Sequence, residues 1–358
     1  MNKREVYYIN NGEFRNFLRK IALSHSVFAP QQGLFDLEFT GVTPEATENI
    51  IFPGARLTQP LKFFLYPPRE MVTSDPLRPE KKRVLLGVKA CDLHAAAILD
   101  RIYLDPEIID PFYRQRREDT IIISDDCPAP AESCFCVLVG GNPFPEKDFD
   151  LNLSFLDEGV VVEVGSEKGK ALLEDAEVPR APAEEKHLSQ RLEERSKVAK
   201  DLREGLKEYQ FQLEGLPDFV EAQYESPKWK EACETCVSCN ACTNICPSCH
   251  CFLIAVARPQ ETPGHGAGDS AGGSERVFEH LRLWDSCQSA GFSRVAGRAN
   301  GGKKITKLFE NRFLCKFRYK PKNYGLFACT GCGRCYEACQ GKIDVRHVLT
   351  LLSGSVRD

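Results

Sequence analysis

Up to Val164 the chain alternates short apolar runs with stretches of helical periodicity. LKFFLY (Leu61–Tyr66), RVLLGV (Arg83–Val88), TIIIS (Thr120–Ser124) and VVVEV (Val160–Val164) have the length and composition of strands. EFRNFLRKIAL (Glu13–Leu23) and DLHAAAILDRI (Asp92–Ile102) space their apolar residues three and four apart and predict helices. Such alternation predicts an α/β domain over residues 1–178. The chain then turns charged. Leu188, Leu192, Ala199, Leu202 and Leu206 keep helical spacing, with Glu193 and Lys197 four apart, so 179–225 reads as an amphipathic helix linking or bracing two domains.

The remaining residues, 226–358, carry a different pattern. PQETPGHGAGDSAGGSE (Pro259–Glu275) has the Gly, Ser and Pro content of a mobile loop. In VFEHLRLWDSC, Val277, Leu281 and Trp284 have spacing that suits a helix. No apolar run approaches the roughly 18 residues of a membrane span, and the first residues lack a signal peptide's apolar core. A cytoplasmic protein is expected.

That expectation governs how the 17 cysteines are read. In a reducing compartment, clustered cysteines are metal ligands more often than disulfides, and the odd count agrees. Cys236, Cys239, Cys242 and Cys246, followed by Pro247, spell C-x2-C-x2-C-x3-C-P, the ferredoxin run for a [4Fe–4S] cubane. Cys329, Cys332, Cys335 and Cys339 repeat the spacing. In each run three thiolates converge on one cube, while the fourth serves the neighbouring cluster. Cys236, Cys239, Cys242 and Cys339 are thus expected to hold one cluster, and Cys329, Cys332, Cys335 and Cys246 the other. A tetrahedral zinc site needs only four thiolates, and two complete runs exceed that. Between Cys246 and Cys329 lie 82 residues. So large an insert favours a mostly helical ferredoxin-type domain over the small sheet-based one.

Four further cysteines, Cys91, Cys127, Cys134 and Cys136, follow predicted strands, where α/β domains place their sites. They could hold a third cluster, or some could be buried as small apolar side chains. Cys249, Cys251 and Cys287 could support another metal, exchange ligands with that set or pack against a cluster. Cys233 reads as a bystander. Other motifs fail. VGSEKGKALL (Val164–Leu173) is one spacer short of a phosphate loop, with Ala171 in the Ser/Thr position, and reads as a strand and a charged turn. No GxGxxG follows a strand, which argues against a dinucleotide site. Cys91 and His94, one helical turn apart, resemble a nucleophile and base, but a cluster is the better use for Cys91.

Taken in order, GVKACDLHAAAILDRIYL, DPFYRQRRE, CPAPAESCFC, CPSCHC, LRLWDSC and CTGCGRC extend over nearly the whole chain. They resemble the iron–sulfur electron-transfer subunit of sulfhydrogenases (the beta subunit) and its counterpart in anaerobic sulfite reductases. Related subunits accompany flavin oxidoreductase modules that feed heterodisulfide reductases. The resemblance implies a non-catalytic electron conduit between a flavin subunit handling NAD(P)H and a catalytic hydrogenase or reductase subunit. It also implies cysteines matching Cys91, Cys127, Cys134 and Cys136. The chain departs from the pattern at Gln340, where a ferredoxin run has proline, at His250 in place of an aromatic, and at Cys315 in place of histidine.

Charge adds one clue. The net charge of −4 argues against a general nucleic-acid binder. Yet Leu281–Asn323 holds eleven Lys/Arg against Asp285 and Glu310, cations that would offset an anionic cluster or face an acidic partner. An electron-transfer subunit is the leading reading. A self-contained reductase with an additional cluster near Cys249, Cys251 and Cys287 is the alternative, and a zinc-bound interaction module is a third.

Overall fold

The computed structural model describes residues 4–353 except 35, 53, 55, 74, 77, 210, 258–277, 290 and 293–303. The Gly-rich segment Pro259–Glu275 and Val277 therefore lie outside the described residues. The chain begins with β1 (Val6–Asn10), α1 (Asn11–Ser24), β2 (Ser26–Gln32) and β3 (Leu37–Val42). Next come α2 (Lys62–Leu65), β4 (Arg69–Met71), β5 (Arg83–Val88), α3 (Ala90–Tyr103) and the small hairpin β6 (Leu104–Asp105) and β7 (Ile108–Ile109). Then follow α4 (Pro111–Glu118), β8 (Thr120–Asp125), β9 (Leu151–Phe155), β10 (Gly159–Val164), α5 (Glu167–Asp175), β11 (Ala181–Pro182) and α6 (Glu185–Glu204). The rest comprises α7 (Leu216–Ala222), α8 (Lys228–Ala232), α9 (Ala241–Asn244), β12 (Phe252–Ala257), β13 (Glu279–Trp284), α10 (Ile305–Leu314), α11 (Lys320–Tyr324), α12 (Arg334–Glu337) and α13 (Val345–Ser353).

Eight strands form one mixed sheet in the order β11-β1-β10-β9-β8-β5-β2-β3, with β2, β5, β8 and β9 parallel at its centre. The parallel strands are covered on both faces, which is why β5 and β8 read as continuous apolar runs. Val84, Leu86, Ile121 and Ile123 face α1 and α5. Leu85, Val88 and Ile122 face α3 and the ring of Tyr113 in α4. Leu86 and Val88 serve opposite faces despite their even spacing, because Gly87 (φ +78°) sits in a register shift against β8. The N-terminal part is thus an α/β sheet domain. Helix α6 lies on it through Arg191–Glu163 and Arg195–Asp126 ion pairs.

Two predicted elements differ. Leu61–Tyr66 contains the single helical turn α2, not a strand. Leu61, Leu65 and Tyr66 are buried in one cluster, so the run's apolarity reports burial and its period says nothing of type. Pro60 and Pro67 bound it closely. Glu279–Trp284 is the strand β13, not a helix, because it pairs antiparallel with β12 on one side and β4 on the other. The segment after β10, expected as a charged turn, forms α5, capped by Ser166 accepting from Gly169 N.

A second core joins Trp229, Phe309, Phe313, Phe317, Val345 and Leu349 of the C-terminal helices. Phe135 and Val139, from the loop after β8, insert into this core, so the two parts of the chain are packed through it. No described helix is long and apolar enough to cross a membrane.

Candidate metal centres

Of the first run, Cys236 and Cys239 stand on the turn between α8 and α9, Cys242 lies in α9 and Cys246 just beyond it. Ser238 and Asn240 are left-handed in that turn, with φ of 54° and 61°, and this winds the backbone tightly. Cys236, Cys239 and Cys242 consequently line one cavity, and Cys339 joins them from just past α12. Backbone Ile343 N donates to Cys339 Sγ at 3.4 Å, and Gln288 Nε2 to Cys242 Sγ at 3.6 Å.

A second cavity is lined by Cys329, Cys332 and Cys335 together with Cys246, the last residue of the other run. Phe135, Phe313 and Phe317 supply its apolar wall. A third is lined by Cys91, Cys127, Cys134 and Cys136. Cys91 opens α3 after β5, and Cys127 follows β8, so both lie at the carboxyl ends of neighbouring parallel strands.

The cavities form a row. The first and second share Cys335 and Arg312 in their walls, and the second and third share Gly331 and Cys332. The shared loop is held by Phe135 N donating to Gly331 O at 2.7 Å. Gly331 is required there, since φ is +64° and a Cβ would lie 2.5 Å from the backbone N and Cα of Cys136. Cys239, exposed on the first cavity, is the end of the row open to solvent.

The residues around these spaces fit an anionic iron–sulfur group. Arg312 is 6% exposed, yet its Nε has no hydrogen-bond partner. The titratable groups that act on it most are Cys242, Cys335, Cys246 and Cys249, and it has no carboxylate partner among the described residues. Burying such a cation without a counter-ion costs several kcal/mol. Lys316 is equally buried and reaches Cys246 Sγ at 3.1 Å and Ser248 Oγ at 2.7 Å. Thr330 Oγ1 and Asn240 Oδ1, on the second and first cavities, are buried without partners. Burial pushes the Cys127 and Cys136 thiols up to about 12 and Cys335 to about 11. Ligated iron supplies the positive charge that turns such thiols into thiolates. Among the described residues no three His, Cys, Asp or Glu side chains converge on a single-ion site. A cubane instead takes each thiolate on a separate iron.

The remaining candidates divide. Cys233 packs in the helical core, its Sγ 3.6 Å from both Lys230 O and Thr306 Oγ1. His94 is held below its usual range by burial, and its buried Nε2 has no hydrogen-bond partner, so no bond pairs it with Cys91 among the described residues. His250 Nδ1 stands 3.1 Å from Ser248 O, and Lys320 Nζ is 3.0 Å from Nε2. The ring is pushed down to about 3, by burial first and then by Lys320, and stays neutral. The basic run also divides. Arg312 and Lys316 turn inward, while Arg282 pairs with Glu70 and Asp110, Lys307 with Glu225 and Glu310, and Arg318 with Glu221.

Several contributors had no signal that pattern reading uses. Lys62 is buried, with Nζ 3.0 Å from Asn244 O and 3.7 Å from the Trp284 ring centroid. A lysine inside the apolar run LKFFLY was its one clue. Arg56 lines the third cavity and pairs with Glu337.

A family model described as a 4Fe-4S dicluster domain matches residues 235–343. Sulfhydrogenase 2 subunit beta of Pyrococcus furiosus is 33% identical over 272 residues, which is 75% of this chain and 73% of that protein.

Proposed function

The chain belongs to the family of the sulfhydrogenase beta subunits and carries a C-terminal 4Fe-4S dicluster domain, and from this we propose that it is the iron–sulfur electron-transfer subunit of a multisubunit oxidoreductase. Its C-terminal domain, mostly helical, holds two [4Fe–4S] clusters by crossed ligation. Cys236, Cys239, Cys242 and Cys339 hold one, and Cys329, Cys332, Cys335 and Cys246 the other. Cys91, Cys127, Cys134 and Cys136 hold a third in the α/β domain. The observation that carries the reading is the row of three cavities, each lined by the four cysteines assigned to it, with Cys335 shared between the first and second and Cys332 between the second and third.

When bound, such clusters supply one-electron steps. The chain's own residues do the rest. Arg312 and Lys316 offset buried negative charge, and Phe135, Phe313 and Phe317 keep water from the middle site. No disulfide joins any of the 17 cysteines, which supports a reducing, cytoplasmic setting. Strand β12 supports docking to another protein chain: it is a sheet edge, and Phe252, Leu253, Ile254 and Val256 are all exposed. One partner is a flavin subunit that handles NAD(P)H. The other is catalytic: either a hydrogenase or a reductase of sulfite, polysulfide or heterodisulfide.

Anaerobic mixing tests the relay. NAD(P)H is expected to bleach the visible absorbance of the iron-loaded chain only when the flavin subunit is added. Bleaching of the isolated chain by NAD(P)H, or substrate turnover by it alone, would make it a self-contained reductase.

A further inference from the structure

Four cysteines belong to none of the three cavities and are not packing residues of a core. Cys249 follows the first run by three residues, with its N donating to Cys246 O at 3.3 Å. Cys251 immediately precedes β12, and its carbonyl accepts from Asp285 N at 2.9 Å where β13 ends. That pairing carries Cys287, two residues on, back toward Cys251. Cys315 comes from a third segment. It opens the π-helical turn Cys315–Tyr319, a widening of the helix that is frequent at functional sites. Cys315 interacts electrostatically with both Cys251 and Cys287.

The surroundings have the same character as the three cavities. Lys62, Lys316 and Lys320 each have Cys249 among the titratable groups that act on them electrostatically, and Lys62 and Lys320 have Cys251 too. Lys62 and Lys316 are buried, and none of the three pairs with a carboxylate among the described residues. Three cations and four thiols with no acid among them leave positive charge for which the fold itself offers no counter-ion. A four-thiolate cluster supplies that charge.

We propose that Cys249, Cys251, Cys287 and Cys315 form a fourth iron–sulfur site, a [4Fe–4S] cluster adjoining the cavity at Cys246. The site depends on the proposed reading that this chain loads iron–sulfur clusters. It lies at the base of the exposed strand β12, which begins one residue after Cys251, so it gives the row of sites a branch toward that surface.

The test is iron, acid-labile sulfide and zinc analysis of the full chain, purified anaerobically. Wild type is compared with the single variant Cys315→Ser and the double variant Cys251→Ser, Cys287→Ser, with the reduced-state EPR spectrum of each. Each variant is expected to lose about four iron and four sulfide per chain while the signals of the dicluster domain persist. Native anaerobic alkylation read by mass spectrometry is a second measurement that needs no variant. In the iron-loaded wild type the four thiols are expected to resist labelling, and to react after iron is chelated. Unchanged iron in both variants overturns the proposal, as does loss of one zinc without loss of iron, or labelling of the four thiols in the loaded protein. A wild-type chain with fewer than about eight iron would instead overturn the dicluster reading on which the proposal stands.

Discussion

Arg334 donates to both oxygens of the Asp92 carboxylate, Nη1 to Oδ1 at 3.0 Å and Nη2 to Oδ2 at 2.7 Å, across 242 residues of sequence. Asp92 follows Cys91 of the third cavity, and Arg334 precedes Cys335 of the second. Both side chains are buried, so the pair fixes the α/β domain against the second cysteine run at the wall the two sites share.

Removing one partner is costly because the other charge stays buried. Arg334→Met is expected to destabilise the loaded protein by about 3–5 kcal/mol, read as a lower urea midpoint. The double variant Arg334→Met, Asp92→Leu should recover much of the loss. A single variant within about 1 kcal/mol of wild type would mean the pair is solvated, as surface pairs are.

Gly331→Ala tests the wall itself. The alanine meets both a positive φ and a Cβ 2.5 Å from Cys136, a combination worth about 1–3 kcal/mol of strain. The backbone must shift and both adjoining sites should lose iron. Wild-type iron content and thermal midpoint would show that the loops move apart without consequence.

Arg312 faces the cysteines of the first and second cavities as a cation without a carboxylate partner among the described residues. Arg312→Gln is expected to lower the reduction potentials of both dicluster-domain sites, whereas Arg312→Lys should restore them. A one-electron couple shifts about 59 mV for each tenfold change in equilibrium, so a loss of this size or more is the expected reading in an EPR-monitored titration. Potentials that do not change would place the guanidinium's role in packing alone.

The proposed crossed ligation would staple distant segments. Cys339→Ser should perturb the site of Cys236, Cys239 and Cys242 and leave that of Cys329, Cys332 and Cys335 intact. Closing the intervening 82-residue loop costs several kcal/mol of chain entropy, which metal binding offsets. Stripping iron is therefore expected to unprotect backbone amides beyond about residue 225 while the eight-stranded sheet stays protected in hydrogen exchange. Protection throughout the iron-free chain would mean the C-terminal fold is preformed.

That Cys236, Cys239 and Cys242 share one cavity was legible because they are neighbours in sequence on one local winding of backbone. The strands β5, β8 and β10 were legible for a similar reason, being runs long and apolar enough to have one structural use. Leu61–Tyr66 was not, since a short run buried on all sides has no informative period. Glu279–Trp284 failed differently. Its spacing suited a helix, but pairing with β4, more than 200 residues earlier, decides its conformation. Lys62, Asp92 and Arg334 matter through contacts with residues distant in sequence, and no local pattern encodes them.

The central claim is that the thiol-lined cavities hold [4Fe–4S] clusters, including the one in the α/β domain. Its most direct test is anaerobic iron and sulfide analysis of wild type beside the Cys127→Ala, Cys134→Ala double variant. At least about twelve iron per chain are expected in wild type and about four fewer in the variant. Equal iron in the two proteins would contradict the third site, and a colourless, zinc-loaded wild type would contradict the account as a whole.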